Sequence, residues 1–309
     1  MNESLGNTLL IANPVAQSGR GQAAAQRAWR LLSDELGDAV SLAMTKSTAH
    51  AVDLAAGAGN FDTVVALGGD GVIHEIGNGL MSIPETDRPR LGVVPAGSGN
   101  DYAHTLGVSC DLRTACDQLL NAETQAVDVG LVNGSFFLET LSFGLDAAIA
   151  LDTMDRRKRT GKSGTPLYMA SGFDQLMHHL DALPYTARFD GGEPISGESI
   201  TFAVQLGPYY GGGFKVCPDA SLTDGTFDIC IAHPPIGRSK AALVFMMAKS
   251  GKHRGFKQIE MRTARSLHIQ FETDPPAQID GEKLEGRAFD IDVVPQALNV
   301  LVPQQQEKS

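Results

Sequence analysis

The sequence has no long apolar run. Its longest stretch worth weighing, Ala241 to Ala248, falls far short of the roughly 20 residues that span a bilayer, so no transmembrane helix is expected. Cysteine is also scarce. The four present, Cys110, Cys116, Cys217 and Cys230, lack metal-type CxxC spacing, and a chain of this size does not depend on disulfide staples; reduced thiols in a cytoplasm are expected. A positive excess is missing as well, since 25 Lys and Arg stand against 36 Asp and Glu, a net charge of −11. That balance argues against a general nucleic-acid binder, whose surface must displace counterions from phosphates. Any anionic ligand must be met locally. The opening Met1-Asn2-Glu3-Ser4 contains no basic segment leading into an apolar one, so no secretory leader is expected.

What is abundant is glycine. Many of the 34 glycines follow directly after apolar runs, the places where loops hold ligands. The first third alternates apolar runs with amphipathic stretches: Thr8 to Ala12, Gly21 to Leu36, Ser41 to Thr45, Ala49 to Ala58 and Asp62 to Leu67. This alternation predicts βαβ units on a parallel sheet, with ligand loops at the carboxyl ends of the strands. From about Gln125 the texture changes to short alternating runs, among them Ala126 to Val132, Thr186 to Phe189, Ile200 to Leu206, Phe227 to Ala232 and Ser266 to Phe271. These predict antiparallel strands. Helical stretches interrupt them at about Asp146 to Arg159, Leu167 to Leu180 and Arg238 to Lys249. The expected fold class is therefore α/β plus β: a parallel-sheet nucleotide-binding domain over 1–124 and an antiparallel, β-rich, sandwich-like domain over 125–303. A polar, disordered tail is expected over 304–309.

Thr63 to Leu67 runs straight into Gly68-Gly69-Asp70-Gly71, and helical character follows from Val72 to Leu80. A strand, a glycine turn and a helix start let the main chain approach a phosphate, with amide donors and a favourable dipole. Asp70 would repel a bare phosphate, so its presence implies a metal ion or a proton to accept. Read alone, such an aspartate is as often only a helix cap. A second loop strengthens the ligand reading: Leu91 to Val94 leads into Pro95-Ala96-Gly97-Ser98-Gly99-Asn100-Asp101. A third element, Asn13-Pro14 followed by Ser18-Gly19-Arg20-Gly21, closes the first strand and opens the next helix. Arg20 is placed to reach a nucleotide phosphate, although a lone surface arginine is commonly just solvated.

Together with Asp280-Gly281-Glu282 near the carboxyl end, these motifs resemble the diacylglycerol kinase catalytic-domain family, which includes bacterial lipid kinases and sphingosine kinases. Further matches are Glu75, Asn78 and Gly79, then Phe143 to Ala147, Gly211-Gly212-Gly213 before Pro218, and Thr223-Asp224-Gly225. The resemblance implies an ATP- and Mg2+-dependent lipid kinase, a phosphotransferase with an alcohol acceptor. By similarity, the nucleotide lies against Asn13, Pro14, Ser18, Gly19, Arg20, Thr45, Gly68, Gly69, Asp70, Gly71, Val72, His74, Gly97, Ser98, Asn100 and Asp101. Asp70 organises catalytic magnesium, and Glu282 is the proton acceptor for the attacking lipid hydroxyl. A second, structural magnesium is implied at Asp224 with main-chain oxygens of Ser221 and Thr226. Without the resemblance, Glu282 and Asp224 read as ordinary turn residues beside glycine.

This chain departs from the family pattern at Val72, His74 and His104, where the family usually carries threonine, asparagine and arginine. The departures leave nucleotide binding expected and place catalytic efficiency in question. Arg156, Arg157, Lys158, Arg159 and Lys162 form one basic stretch, and Lys249, Lys252, Arg254 and Lys257 another. The second lies beside Phe245, Met246, Met247 and Phe256, a mixture suited to transient contact with a membrane, here the inner face seen from the cytoplasm. The competing readings are a kinase of a soluble acceptor such as NAD and a catalytically inactive nucleotide-binding regulator. A Rossmann dehydrogenase is disfavoured because the second strand ends at Thr45-Lys46-Ser47 without a ribose-binding acid.

Overall fold

A computed structural model describes residues 5–14, 19–47 and 49–304. The chain forms two compact units: one runs to Val127 and resumes at Gln296, and the other is Asp128–Pro295. The second unit is thus an insertion, and the chain from Gln296 clusters with the first unit. The returning segment contributes a strand whose partner lies some two hundred residues earlier, a relation that local patterning does not carry.

In the first unit, β1 (Thr8–Ala12), α1 (Gly21–Leu36), β2 (Val40–Met44), α2 (His50–Ala56), β3 (Thr63–Gly68), α3 (Asp70–Met81), β4 (Arg90–Pro95), α4 (Asp101–Thr105) and α5 (Leu112–Leu120) follow one another. β1 pairs in parallel with β2 and β3, and β3 in parallel with β4. Every residue of β1 and β3 is buried, as expected for central strands covered on both faces. α1 turns Gly21, Ala25, Ala28 and Leu32 inward at helical spacing. It stops at Gly37, whose φ of 62° suits glycine. α2 and α3 meet where a Cβ on Gly79 would lie 2.5 Å from the Val52 carbonyl oxygen. Only a residue without a side chain permits that approach.

The remaining elements are β5 (Ala122–Val132), β6 (Ser135–Phe137), β7 (Thr140–Gly144), α6 (Leu145–Thr160), α7 (Thr165–His178), β8 (Leu183–Phe189), β9 (Ile195–Ser199), β10 (Thr201–Gln205), β11 (Tyr209–Tyr210), β12 (Phe214–Lys215), β13 (Phe227–Ala232), α8 (Arg238–Ala248), β14 (Ile259–Ala264), β15 (Ser266–Phe271), β16 (Ala277–Ile279), β17 (Glu282–Leu284) and β18 (Ala288–Pro303). The end of β18 supplies the first unit's last strand, parallel to β4 with Val300 opposite Leu91. Arg88 secures it by donating from its guanidinium to the Ala297 carbonyl, and also to those of Leu80 and Ile83.

The second unit is antiparallel and sandwich-like, matching the expected class. One sheet runs β14-β13-β10-β7-β16-β17, and β15 joins β8 and the first part of β18 in the other. Alternate residues Leu267, Ile269 and Phe271 of β15 point into the core, the period-two signature of a half-buried strand. Phe143 of β7 packs on Phe271 and Phe289 with ring centroids 5.2 and 4.7 Å away, joining the two sheets. Each such fully buried ring contributes up to about 3 kcal/mol by leaving water. The three expected helical stretches are α6, α7 and α8, each shifted by no more than two residues at either end.

Candidate active site

The nucleotide-binding candidates of the first unit gather at the carboxyl ends of its parallel strands. Asn13 and Pro14 follow β1, Thr45 follows β2, Gly69 follows β3 and the Ala96–Asn100 loop follows β4. The Thr45 amide donates to the Ala12 carbonyl (2.9 Å), and Gln22 N–H to Pro14 (3.2 Å). Gly19 and Arg20 are exposed ahead of α1; Ser18 lies outside the described residues. Ser98 and His104 are exposed, whereas Thr45, Asn100 and Asp101 are buried.

Two glycine turns touch main chain to main chain. Gly68 of β3 pairs with Pro95 of β4, and Ala96 N–H donates to the Gly68 carbonyl (2.7 Å). A Cβ on Gly97 would therefore lie 2.3 Å from the Gly69 Cα. Asn100 braces its own loop in the left-handed region (φ 57°). Its Oδ1 accepts from Gly97 N–H (2.8 Å) and its Nδ2 donates to the Gly97 carbonyl (3.3 Å).

Asp70 joins the two motifs. Its Oδ2 accepts from Asn100 N–H (2.9 Å) and its Oδ1 from Tyr102 N–H (3.2 Å). The aspartate inside one turn thus caps the helix that follows the other, a partnership between motifs that the sequence leaves unspecified. Beside bare Gly99, a Cβ would meet Asp70 Oδ2 at 2.9 Å and Asp101 Oδ2 at 3.2 Å, so two carboxylates converge on a place without a side chain. Among the described residues no group of three His, Cys, Asp or Glu could hold a metal ion. A magnesium ion arriving with a nucleotide would be held here by Asp70, with phosphate and water as its other ligands.

Two of the departures from the family pattern lie in local contacts of the glycine turn and α3. Val72 packs on Gly68, where a Cβ would come within 2.7 Å of the valine Cβ. His74 lies one turn into α3 and meets Asn78, whose Nδ2 donates to the His74 carbonyl (3.0 Å). Glu75 accepts from Ala49 N–H (3.2 Å), tying α3 to the start of α2.

In the second unit, Glu282 opens β17 after a two-residue turn made by Asp280 (φ 46°) and Gly281 (φ 91°). Positive φ at both positions suits an Asp-Gly hairpin. Glu282 is exposed, while Asp280 is buried and anchors the turn. Its Oδ1 accepts from Glu139 N–H (3.0 Å) and Thr140 N–H (2.9 Å), and its Oδ2 from Leu138 N–H (2.8 Å). Reading Asp280 only as a motif residue missed this role; the sequence signals the turn and not the three distant amides.

Asp224 forms a tight turn, with Oδ1 accepting from both the amide (3.0 Å) and hydroxyl (2.9 Å) of Thr226. Ser221 and Thr223 share a hydroxyl contact beside it (3.3 Å). Burial, and then the negative charges of Asp224 and Asp219, push Asp228 up to about 6. A second perturbed carboxyl, Asp146 at the start of α6, is buried and accepts from the Tyr210 hydroxyl (2.9 Å). Burial raises it to about 6 against the hydrogen bonds that favour its ionised form.

The basic stretches are partly engaged: Arg156 pairs with Asp152 and Asp174, and Arg254 with Asp219. His178 ends α7 and pairs with Asp174 at 3.7 Å. All four cysteines are free thiols. No helix among the described residues is long and apolar enough to cross a membrane.

Comparison with known proteins gives a consistent assignment. Residues 7–132 match the model of the diacylglycerol kinase catalytic domain. Residues 139–302 match that of the YegS C-terminal NAD kinase beta sandwich-like domain. A diacylglycerol kinase of Staphylococcus saprophyticus is 28% identical over 235 residues, 75% of each chain. One from Staphylococcus aureus (strain Newman) is 29% identical over 223 residues, 72% of this chain and 69% of that one. In fold, a Bacillus anthracis str. Sterne crystal structure superposes with a TM-score of 0.80 at 24% identity, covering 97% of this chain and 98% of that one. A crystal structure of a diacylglycerol kinase from the same organism gives 0.74 at 22% identity and 97% coverage of both chains. The chain therefore belongs to the family that couples a diacylglycerol kinase catalytic domain to a YegS-type C-terminal domain, and it is a phosphotransferase of the kinase class.

Proposed function

We propose that the protein is a lipid kinase that moves the γ-phosphate of ATP, with Mg2+, onto the hydroxyl of a lipid such as diacylglycerol or a sphingoid base. The observation that carries this reading is the Gly69–Gly97 contact with Asp70 bound to the amides of Asn100 and Tyr102. It brings a carboxylate to side-chain-free main chain at the carboxyl ends of parallel strands, where phosphate and metal are met together. The names of the staphylococcal relatives favour a diacylglycerol-type acceptor.

In this reading Gly68, Gly69, Gly71 and Gly97 let the phosphates approach the main chain, with Val72, His74, Ser98, Asn100 and Asp101 alongside. Asn13, Pro14, Ser18, Gly19 and Thr45 border the nucleotide, and Arg20 contacts phosphate. Asp70 holds the catalytic metal. Bound magnesium supplies charge neutralisation at the phosphate oxygens, the main requirement of a loose phosphoryl-transfer transition state. Asp224, with main-chain oxygens of Ser221 and Thr226, holds a structural ion. Glu282 accepts the proton of the acceptor hydroxyl as its oxygen bonds to the γ-phosphorus and the bond to the ADP oxygen breaks. The acceptor lives in a bilayer, so the reaction takes place at a membrane surface, at the inner face for an enzyme using cytoplasmic nucleotide.

The description of the C-terminal family model makes a soluble NAD-type acceptor the reading to test against. Purified protein is incubated with radiolabelled ATP, Mg2+ and either extracted cellular lipid or NAD, and the labelled product is identified. Label in a lipid is expected. Label in NAD alone would replace the acceptor, and ATP binding without transfer would replace the activity by regulation.

A further inference from the structure

Residues 229–259 contain no Asp or Glu, yet they hold Arg238, Lys240, Lys249, Lys252, Arg254 and Lys257 in a chain of net charge −11. This segment includes α8. The inward face of α8 presents Ala241, Phe245 and Ala248 at helical spacing. Its outward face is apolar too: Leu243 and Met246, three residues apart, are 52% and 50% exposed, with Met247 beside them. At 3.6 residues per turn, Lys240 and Lys249 fall on opposite flanks of that outward stripe. Two opposed apolar faces call for an apolar partner on each side, and among the described residues α8 has one on one side only.

α7 repeats the pattern. Pro166, Ala170, Phe173 and Met177 form one exposed apolar stripe, with Phe173 43% and Met177 53% exposed. Four of the seven exposed large apolar side chains among the described residues thus sit on these two helices. The helices pack together at Gly172, where a Cβ would lie 2.3 Å from the Phe245 ring. Phe173 stands edge-on to Phe245, with centroids 6.1 Å apart. The nearby acid on α7, Asp174, is engaged by Arg156 and His178.

We infer that the outward stripes of α7 and α8 form a docking face for an anionic lipid bilayer, with Phe173, Met177, Leu243 and Met246 entering the interface and the acid-free lysines meeting headgroups. An anionic bilayer answers both features, since it offers hydrocarbon beneath a negative surface. A soluble anion answers only the charge. A second copy meeting the same face across a two-fold axis would set lysine against lysine. The inference builds on the lipid-acceptor reading, and its binding test contains neither nucleotide nor acceptor lipid, so the two fail separately.

The full chain is cosedimented with vesicles of phosphatidylglycerol in phosphatidylcholine and with pure phosphatidylcholine. Wild type partitions onto the anionic vesicles and releases with salt. Replacing Lys240, Lys249, Lys252 and Lys257 by Gln lowers partitioning by about 100-fold or more, at about fivefold per cation. Leu243→Ser with Met246→Ser lowers it by about tenfold or more, and Phe173→Ser on the other helix lowers it independently. Each variant retains its phosphorylation rate on a short-chain diacylglycerol dissolved as monomer. Absence of wild-type binding overturns the inference, as does unchanged partitioning of the folded variants. So does a self-dimer in sedimentation equilibrium that Leu243→Ser dissolves while vesicle binding persists. Vesicle binding with no phosphorylation of any lipid upholds the docking face and removes the kinase reading alone.

Discussion

Replacing Asp280 separates the anchoring of the candidate base from its chemistry. The carboxylate accepts three amides, from Leu138, Glu139 and Thr140, at 2.8 to 3.0 Å in a buried position. Asp280→Asn keeps an oxygen for the Glu139 and Thr140 amides but turns an NH2 donor toward the Leu138 N–H. One unmet buried donor and two weakened charge-assisted bonds cost about 2 to 3 kcal/mol. Asp280→Gly tolerates the left-handed φ of 46° yet leaves all three amides unmet, at about 4 kcal/mol or more. Asp280→Ala adds left-handed strain of about 1 kcal/mol to that loss. The expected order of stability is Asp, Asn, Gly, Ala. Because two units can unfold separately, thermal unfolding is combined with hydrogen exchange at Leu138, Glu139 and Thr140, whose protection falls in the same order. ATP affinity survives while turnover drops, since the hairpin carries Glu282. An Asp280→Gly protein within about 1 kcal/mol of wild type, with those amides still protected, refutes the reasoning.

Gly97→Ala forces apart two turns, because its Cβ would stand 2.3 Å from the Gly69 Cα; a stability loss of about 2 to 3 kcal/mol and weakened ATP binding by calorimetry are expected, and wild-type behaviour in both contradicts the close contact. Asp70→Asn folds but transfers phosphate at least about 100-fold more slowly, measured at saturating ATP and Mg2+; near wild-type turnover sinks the metal role. Asp146, raised to about 6 from 3.8 by burial, binds its proton more tightly folded than unfolded. Its stabilising contribution is present below the unfolded value and is lost as pH rises through about 6. Asp146→Asn removes that loss, so its stability relative to wild type grows by about 2 kcal/mol between pH 4 and 7; parallel urea midpoints across that range contradict the assignment.

Local features were the legible ones. The β3 run, the glycine turn and α3 are contiguous, so propensity and motif point the same way, and α1 occupies the stretch its periodicity predicts. α3 begins at Asp70 rather than Val72 because the turn is made by Gly69 alone. The βα alternation also implied that the nucleotide candidates share the carboxyl edge of one sheet. It did not imply that Gly69 lies on Gly97, which depends on the register pairing Gly68 with Pro95. Non-local pairings were hidden in the same way. β7 reads as a short mixed run until β10 and β16 flank it. β18 is half-exposed along its first part and returns to β4 only at its end. Asp280 is hidden most completely, since a DG dipeptide announces a hairpin and carries no trace of amides 140 residues away.

The most direct test of phosphoryl transfer to a lipid hydroxyl is the steady-state rate of label transfer from ATP to diacylglycerol dispersed in detergent, for wild type and Glu282→Gln, with ATP affinity measured in parallel. Wild type is expected to label the lipid only with Mg2+ present, and Glu282→Gln to bind ATP normally while its rate falls by about 100-fold or more. A folded Glu282→Gln protein within a few-fold of the wild-type rate contradicts the proton-acceptor role, and wild type that binds ATP and Mg2+ but labels no lipid contradicts the lipid-kinase account itself.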